Sequence, residues 1–235
     1  AGTERLRLYF AELAREYDIV LVIGTIEIEL PVIRLHEGGS VVIQRNVSGS
    51  VHVLESRTGL AACAREIVEL LGRILRQVPI WACVLIGGRS SRMGQAKHLL
   101  QDSMCVTWLE KTVAVLDPFV ERSVLSGGGL VPASLQHLTR LPDIPGIAGP
   151  LTGILSAMRW QPAVSWLLVA CDMPCLSPGA LQWLVSFRRP GCWAIMPKRS
   201  QESHVEPLLA HYDPRCHSIF EEIPTFGSQR IGDAA

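Results

Sequence analysis

No stretch of this chain is apolar for the roughly 18 residues that a bilayer-spanning helix needs. Segments such as WLLVAC and DIVLVIG have the length of strands instead, so no membrane partner is expected. Neither sign of charge is in excess: 22 Lys and Arg stand against 22 Asp and Glu. That balance argues against a surface that tracks nucleic acid, yet leaves room for a local patch that grips phosphates. The opening AGTERLRLYF lacks the apolar centre and cleavage site of a signal peptide. Seven cysteines (Cys63, Cys83, Cys105, Cys171, Cys175, Cys192 and Cys216) lie scattered among apolar residues, which reads as buried thiols of a reducing compartment. Cys171 and Cys175 flank DMP, but no second cysteine or histidine pair has zinc-site spacing. A cytoplasmic, soluble, globular protein is the expectation.

What is present supports a large core. Of 235 residues, 48% are hydrophobic and 19% charged, enough for one large domain or one plus part of a second. Glu4 to Tyr17 has the apolar spacing of an amphipathic helix, and DIVLVIG, PVIRL and VVIQ read as strands. A helix is expected from Thr58 to about Gln77, ended by Pro79, because the residue before a proline is pushed out of the helical region. The domain boundary is placed there, giving segments 1–78 and 79–235. After it, strands alternate with helices: IWACVLI, VTWLEKTVAVLD, VERSVLS, GPLTGILSAMRW, SWLLVAC, SPGALQWLVSF, CWAIMP and PLLAHY. Such alternation implies an α/β fold with a mostly parallel sheet covered on both faces.

The first of these strands runs into GGRSSRMGQAK, a turn rich in glycine and positive charge. Parallel sheets bind ligands beyond the carboxyl ends of their strands. Glycines there let the backbone approach a ligand and aim N–H groups at anionic oxygens, while Arg92 and Lys97 supply full charges. The turn has neither the G-x-x-x-x-G-K-[ST] spacing of a P-loop nor the G-x-G-x-x-G of a dinucleotide-binding enzyme. A polyphosphate ligand and a plain turn with solvated basic residues both fit these residues. Asp172 follows the most apolar strand, where an ionised carboxylate needs a cation; a helix-capping aspartate ahead of Pro174 is the alternative.

LIGGRSSRMGQAK resembles the L-x-G-G-x-S-x-R-M-G-x-x-K signature of nucleotidyltransferases, and more narrowly the molybdenum cofactor guanylyltransferases, which attach GMP from GTP to molybdopterin. The resemblance implies a Rossmann-like nucleotidyltransferase domain over 79–235. It implies GTP contacts at Leu85, Ile86, Gly87, Gly88, Lys97, Asp143 and Asp172, and a catalytic set of Lys97, Arg92 and Asp172. Asp172, in the family's C-D-x-P motif, would hold Mg²⁺, which favours one or two carboxylates plus phosphate oxygens. Asp143 precedes the G-P-L-x-G-I helix start shared with the family, and Glycines 127–129 suit close approach to base or ribose. His204 and Glu206, beside the family-like P-L-x-A-x-Y, would either face the site or be a solvated His and a salt-bridged Glu. Three departures stand out: Ala96 replaces the usual acidic residue before the lysine, Ser126 stands where asparagine is common, and no N-x-N-T-P-E segment follows Phe226.

Residues from about Leu8 to Leu75 resemble the C-terminal half of the GTP-binding partner in the same pathway, without its P-loop and with Ile23 in place of the strand-motif glutamate. This smaller α/β segment is expected to be a remnant, a docking surface or a dimer contact, with a bare structural appendage as the alternative. The function implied is transfer of GMP from GTP to Mo-molybdopterin, with Mg²⁺ as cofactor and a molybdoenzyme or chaperone as a further partner. A cytidylyl- or sugar-phosphate transferase, or a non-catalytic molybdopterin carrier, is the alternative.

Overall fold

The computed structural model of the chain describes residues 20–23, 32–35, 41–44, 60–86, 96–198, 205–226 and 231. By its contacts the chain divides into two compact units, Ala1–Ile74 and Leu75–Ala235. The sequence places its boundary a few residues later, at Pro79.

In the first unit, β1 (Val20–Ile23), β2 (Val32–Leu35) and β3 (Val41–Gln44) form a three-stranded sheet, with β1 parallel to β2 and β3 antiparallel to it. The helix expected over Glu4–Tyr17 lies outside the described residues. Helix α1 (Leu60–Gln77) stops ahead of Pro79 as its sequence requires.

The second unit runs β4 (Ile80–Leu85), α2 (Trp108–Leu116), β5 (Arg122–Ser126), β6 (Thr139–Leu141), α3 (Pro150–Trp160), β7 (Ser165–Ala170), α4 (Pro178–Ser186), β8 (Ala194–Ile195), β9 (Leu209–Tyr212) and α5 (Cys216–Glu222). The sheet order is β6-β5-β4-β7-β9-β8. Strands β4 to β7 pair in parallel, and β9 runs against both β7 and β8. This is an α/β fold with a mixed, mostly parallel six-stranded sheet.

Every residue of β7 is buried, as a central strand covered on two faces must be. Its side chains divide by parity: Trp166 and Leu168 enter one core with Leu151, Ile154 and Phe220, while Leu167 and Val169 enter the other with Leu109, Leu116 and Leu181. Helix α2 is started by a capping box. Thr107 Oγ1 accepts the Glu110 N–H at 3.2 Å, and the Glu110 carboxylate accepts the Thr107 N–H at 2.9 Å.

The structure differs from the sequence reading in places. CWAIMP and PLLAHY keep only Ala194–Ile195 and Leu209–Tyr212 as strand, and the short β6 and α5 are additional. Cys83, Cys171 and Cys216 are buried as expected, but Cys105 and Cys175 are exposed. Cys105 sits at φ 62° in a tight turn, where the Asp102 carboxylate takes the N–H groups of Met104 and Val106; Cys175 lies in the loop before α4. Among the described residues no helix is long and apolar enough to cross a membrane.

Candidate active site

Leu85 pairs with Ser126 on one side and with Ala170 on the other, so the last residues of β4, β5 and β7 form one row across the sheet. The Ile86 N–H donates to Ser126 O at 2.8 Å and the Cys171 N–H to Leu85 O at 3.2 Å, carrying that register just past the strands. Beyond the row the chain leaves the sheet in loops and encloses a cleft of about 710 Å³. In chain order β4 is followed by β5 on one side of it, and β6 by β7 on the other side of β4, a reversal of strand order of the kind at which open α/β sheets place ligands.

Two side chains face each other across this cleft. Lys97, on a 3₁₀ turn (Lys97–Leu99), donates through Nζ to Asp172 Oδ2 at 2.9 Å. Both are substantially exposed, 45% and 39% of their side chains, so water and ligands reach them. The hydrogen bond to Asp172, reinforced by its charge, raises the lysine above its ordinary value, and the ammonium stays charged at neutral pH. Asp172 does not cap a helix: the N-cap of α4 is Ser177, whose hydroxyl accepts the Ala180 N–H. The neighbouring Cys171 is pushed up to about 11 by burial and then by the Asp172 charge, which keeps it a thiol and unsuited to nucleophilic work.

Asp143 lines the same cleft from the loop between β6 and α3. That loop is fastened to the helix: Thr152 Oγ1 accepts the Ile144 N–H at 2.6 Å, and Ser156 donates to Pro142 O at 2.7 Å. Gly153 lets α3 approach the sheet closely, since a Cβ there would stand 2.3 Å from Leu85 Cδ2 and 3.1 Å from Ser126 Oγ. Leu85 reaches the cleft. The Ile86 side chain is in the core with no exposure, and its N–H is already used. Gly87, Gly88, Arg92 and His204 lie outside the described residues. Glu206 accepts the Leu208 N–H at 3.0 Å and so serves its own loop.

Sequence reasoning missed two residues. His98 is buried and shares a hydrogen bond with Leu130 O at 2.8 Å. Arg140 donates to Gly127 O and Gly129 O at 3.2 and 3.0 Å. The run of three glycines hinted that something packs there, but nothing in the chain pointed to these partners.

Among the described residues no group of three or more His, Cys, Asp and Glu could hold a metal. A single exposed carboxylate beside a cleft does suit Mg²⁺ whose remaining ligands are phosphate oxygens and water, so Asp172 fits that ion in company with a phosphorylated ligand.

Residues 82–232 match the model of the MobA-like NTP transferase domain. The chain belongs to that family. It is 32% identical over 139 residues, 59% of this chain and 66% of the relative, to a protein of Pelotomaculum thermopropionicum named probable molybdenum cofactor guanylyltransferase. It is 28% identical over 153 residues to a Synechocystis protein named molybdenum cofactor biosynthesis bifunctional protein, covering 64% of this chain and 44% of that one. The chain thus spans two thirds or less of the length of these curated relatives. The solved structure of molybdopterin-guanine dinucleotide biosynthesis protein A from Archaeoglobus fulgidus superposes with a TM-score of 0.53 at 26% identity, over 66% of this chain and 77% of the other. The family match begins at Ala82, and the resemblance of the first 78 residues to a GTP-binding partner finds no support in it.

Proposed function

We propose that the cleft binds GTP and that the protein transfers its GMP moiety to molybdopterin carrying molybdenum, releasing pyrophosphate. The observation that carries this reading is the meeting of Lys97 and Asp172 at 2.9 Å in a cleft at the strand ends. A cation and a carboxylate this close are both within reach of one triphosphate, the first for its phosphates and the second for its metal ion. The names of the relatives at about 30% identity supply the base and the acceptor.

The chemistry asks little of a base, because the acceptor's terminal phosphate is already ionised at neutral pH. One of its oxygens bonds to the α-phosphorus of GTP while the bond from that phosphorus to the pyrophosphate oxygen breaks. This chain's part is positioning and charge neutralisation. Lys97 would bind the phosphates, Gly87, Gly88 and Arg92 would extend that grip, and Leu85 and Asp143 would border the nucleoside. Mg²⁺, held by Asp172, would supply Lewis-acid polarisation of the phosphoryl group.

The test is pyrophosphate release from GTP, Mg²⁺ and Mo-molybdopterin, followed alongside the dinucleotide product. Wild type should yield both, and Asp172→Asn should lose at least about a hundredfold in rate. Release with CTP but not GTP would move the substrate to a cytidylyl reaction. Molybdopterin binding with no pyrophosphate would make the protein a carrier.

A further inference from the structure

The loop after β5 and the turn that carries Lys97 come from different parts of the chain, and a single side chain joins them. His98 is part of the cleft wall, 5% exposed, and its Nε2 lies 2.8 Å from Leu130 O. A carbonyl oxygen only accepts, so Nε2 carries the proton and donates. The ring also packs against the backbone of the loop. A Cβ on Gly129 would stand 3.0 Å from His98 Cε1 and 3.3 Å from Nε2, at a backbone φ of +138°. Glycine is therefore required there twice, for conformation and for room.

Arg140 holds the same loop from a second side through Gly127 O and Gly129 O. Three carbonyls of the Gly127–Leu130 stretch are thus engaged. The Gly127 N–H donates to Leu141 O at 3.4 Å, while the N–H groups of Gly128 and Gly129 have no partner among the described residues. All three glycines line the cleft, where free backbone donors suit the oxygens of a ligand. Lys97 immediately precedes His98 on a 3₁₀ turn closed by Leu99 N–H to Ala96 O and Leu100 N–H to Lys97 O. Any shift of the His98 backbone is passed to Lys97.

We propose that His98 is a positioning residue that clasps the Lys97 turn to the Gly127–Gly129 loop, so that two walls of the cleft meet a nucleoside triphosphate as one rigid unit. The part about the triphosphate rests on the function proposed above; the clasp does not. Without it each wall is ordered separately on binding, and that cost appears as lost affinity.

The experiment compares wild type, His98→Leu, which removes the donor, and His98→Gln, whose amide nitrogen can reach the same carbonyl. Hydrogen exchange without ligand reads the clasp. In His98→Leu the Gly128 and Gly129 amides should exchange about tenfold faster, with β4, β5 and β7 unchanged. Steady-state kinetics with Mg²⁺, Mo-molybdopterin and varied GTP read its use: KM for GTP should rise about tenfold with kcat within threefold, as for one lost hydrogen bond, and His98→Gln should recover most of it. A role in stability alone would lower the melting temperature and leave KM within twofold of wild type, and that result would overturn the proposal. Unchanged exchange at the two glycines would overturn it as well. If wild type turns over no nucleotide, the reading of the cleft fails while the exchange data still decide the clasp.

Discussion

Lys97 and Asp172 occupy each other: the ammonium sits 2.9 Å from the carboxylate oxygen that would hold a divalent ion. Binding a metal-bound triphosphate has to exchange this contact, moving the lysine towards phosphate as the carboxylate turns to the ion. Replacing the lysine with an apolar side chain should therefore act in opposite directions on two ligands. In Lys97→Met, Mn²⁺ alone, followed by paramagnetic relaxation, should bind about threefold more tightly, the size expected for losing one exposed ion pair. GTP affinity should fall at least about tenfold, as for a charge-assisted contact. Thermal stability should hardly move, because both groups are open to water. Mn²⁺ affinity equal to wild type would show that the pair does not compete with the metal.

Gly153 sets the width of the cleft. Alanine would improve the intrinsic helix propensity of α3 by up to about 1 kcal/mol. Its methyl, however, would meet Leu85 Cδ2 at 2.3 Å and Ser126 Oγ at 3.1 Å. Leu85 lines the cleft and its free end can yield in that direction. Gly153→Ala should fold with a net loss of about 1 kcal/mol and bind GTP about tenfold more weakly. Calorimetry showing full affinity would mean that Leu85 moves elsewhere.

Thr107 tests the local account of α2. Its hydroxyl accepts the Glu110 N–H, and Glu110 returns a bond to the Thr107 N–H and also accepts from Ser134. Those contacts, hydrogen bonds from Ser134 and then Thr107, hold the Glu110 carboxyl below its ordinary range. Thr107→Ala should cost about 1 kcal/mol in urea unfolding without changing GTP affinity. A loss below about 0.3 kcal/mol would remove the capping box from the folding account.

The order of strands and helices in the second unit was legible because each element has a strong local pattern. The apolar run of β7, the proline starts of α3 and α4 and the stop at Pro79 each act within a few residues. β6 escaped because three residues, Thr139–Leu141, owe their strand to pairing with β5 rather than to their own pattern. The same limit governs the site. Lys97 and Asp172 could be singled out by charge beside glycine and by a carboxylate at the end of an apolar strand, though Mg²⁺ came only with the resemblance. His98 and Arg140 were invisible, since their partners are backbone carbonyls 32 and 11 to 13 residues away, and a carbonyl has no sequence signature.

His211 makes the fold sensitive to acid. It lies buried on β9, 1% exposed, and neither ring nitrogen has a hydrogen-bond partner among the described residues. Burial, with the Arg188 guanidinium adding to it and Asp213 offsetting part, pushes the imidazole from 6.5 down to about 4. The folded value lies below the unfolded one, so on acidification the unfolded chain takes up this proton first. Stability from this group is complete above pH 6.5 and declines as the pH falls towards 4, by at most about 3 kcal/mol. Substitution with an apolar residue of similar size removes both the proton site and two unpartnered polar atoms. His211→Leu should be as stable as wild type or more so at pH 7.5. Its advantage should widen steadily in urea titrations at about pH 6, 5 and 4.5, the span over which the unfolded imidazole alone is charged. A constant gap between the two proteins across that range would mean that the imidazole is protonated inside the fold as readily as in the open chain.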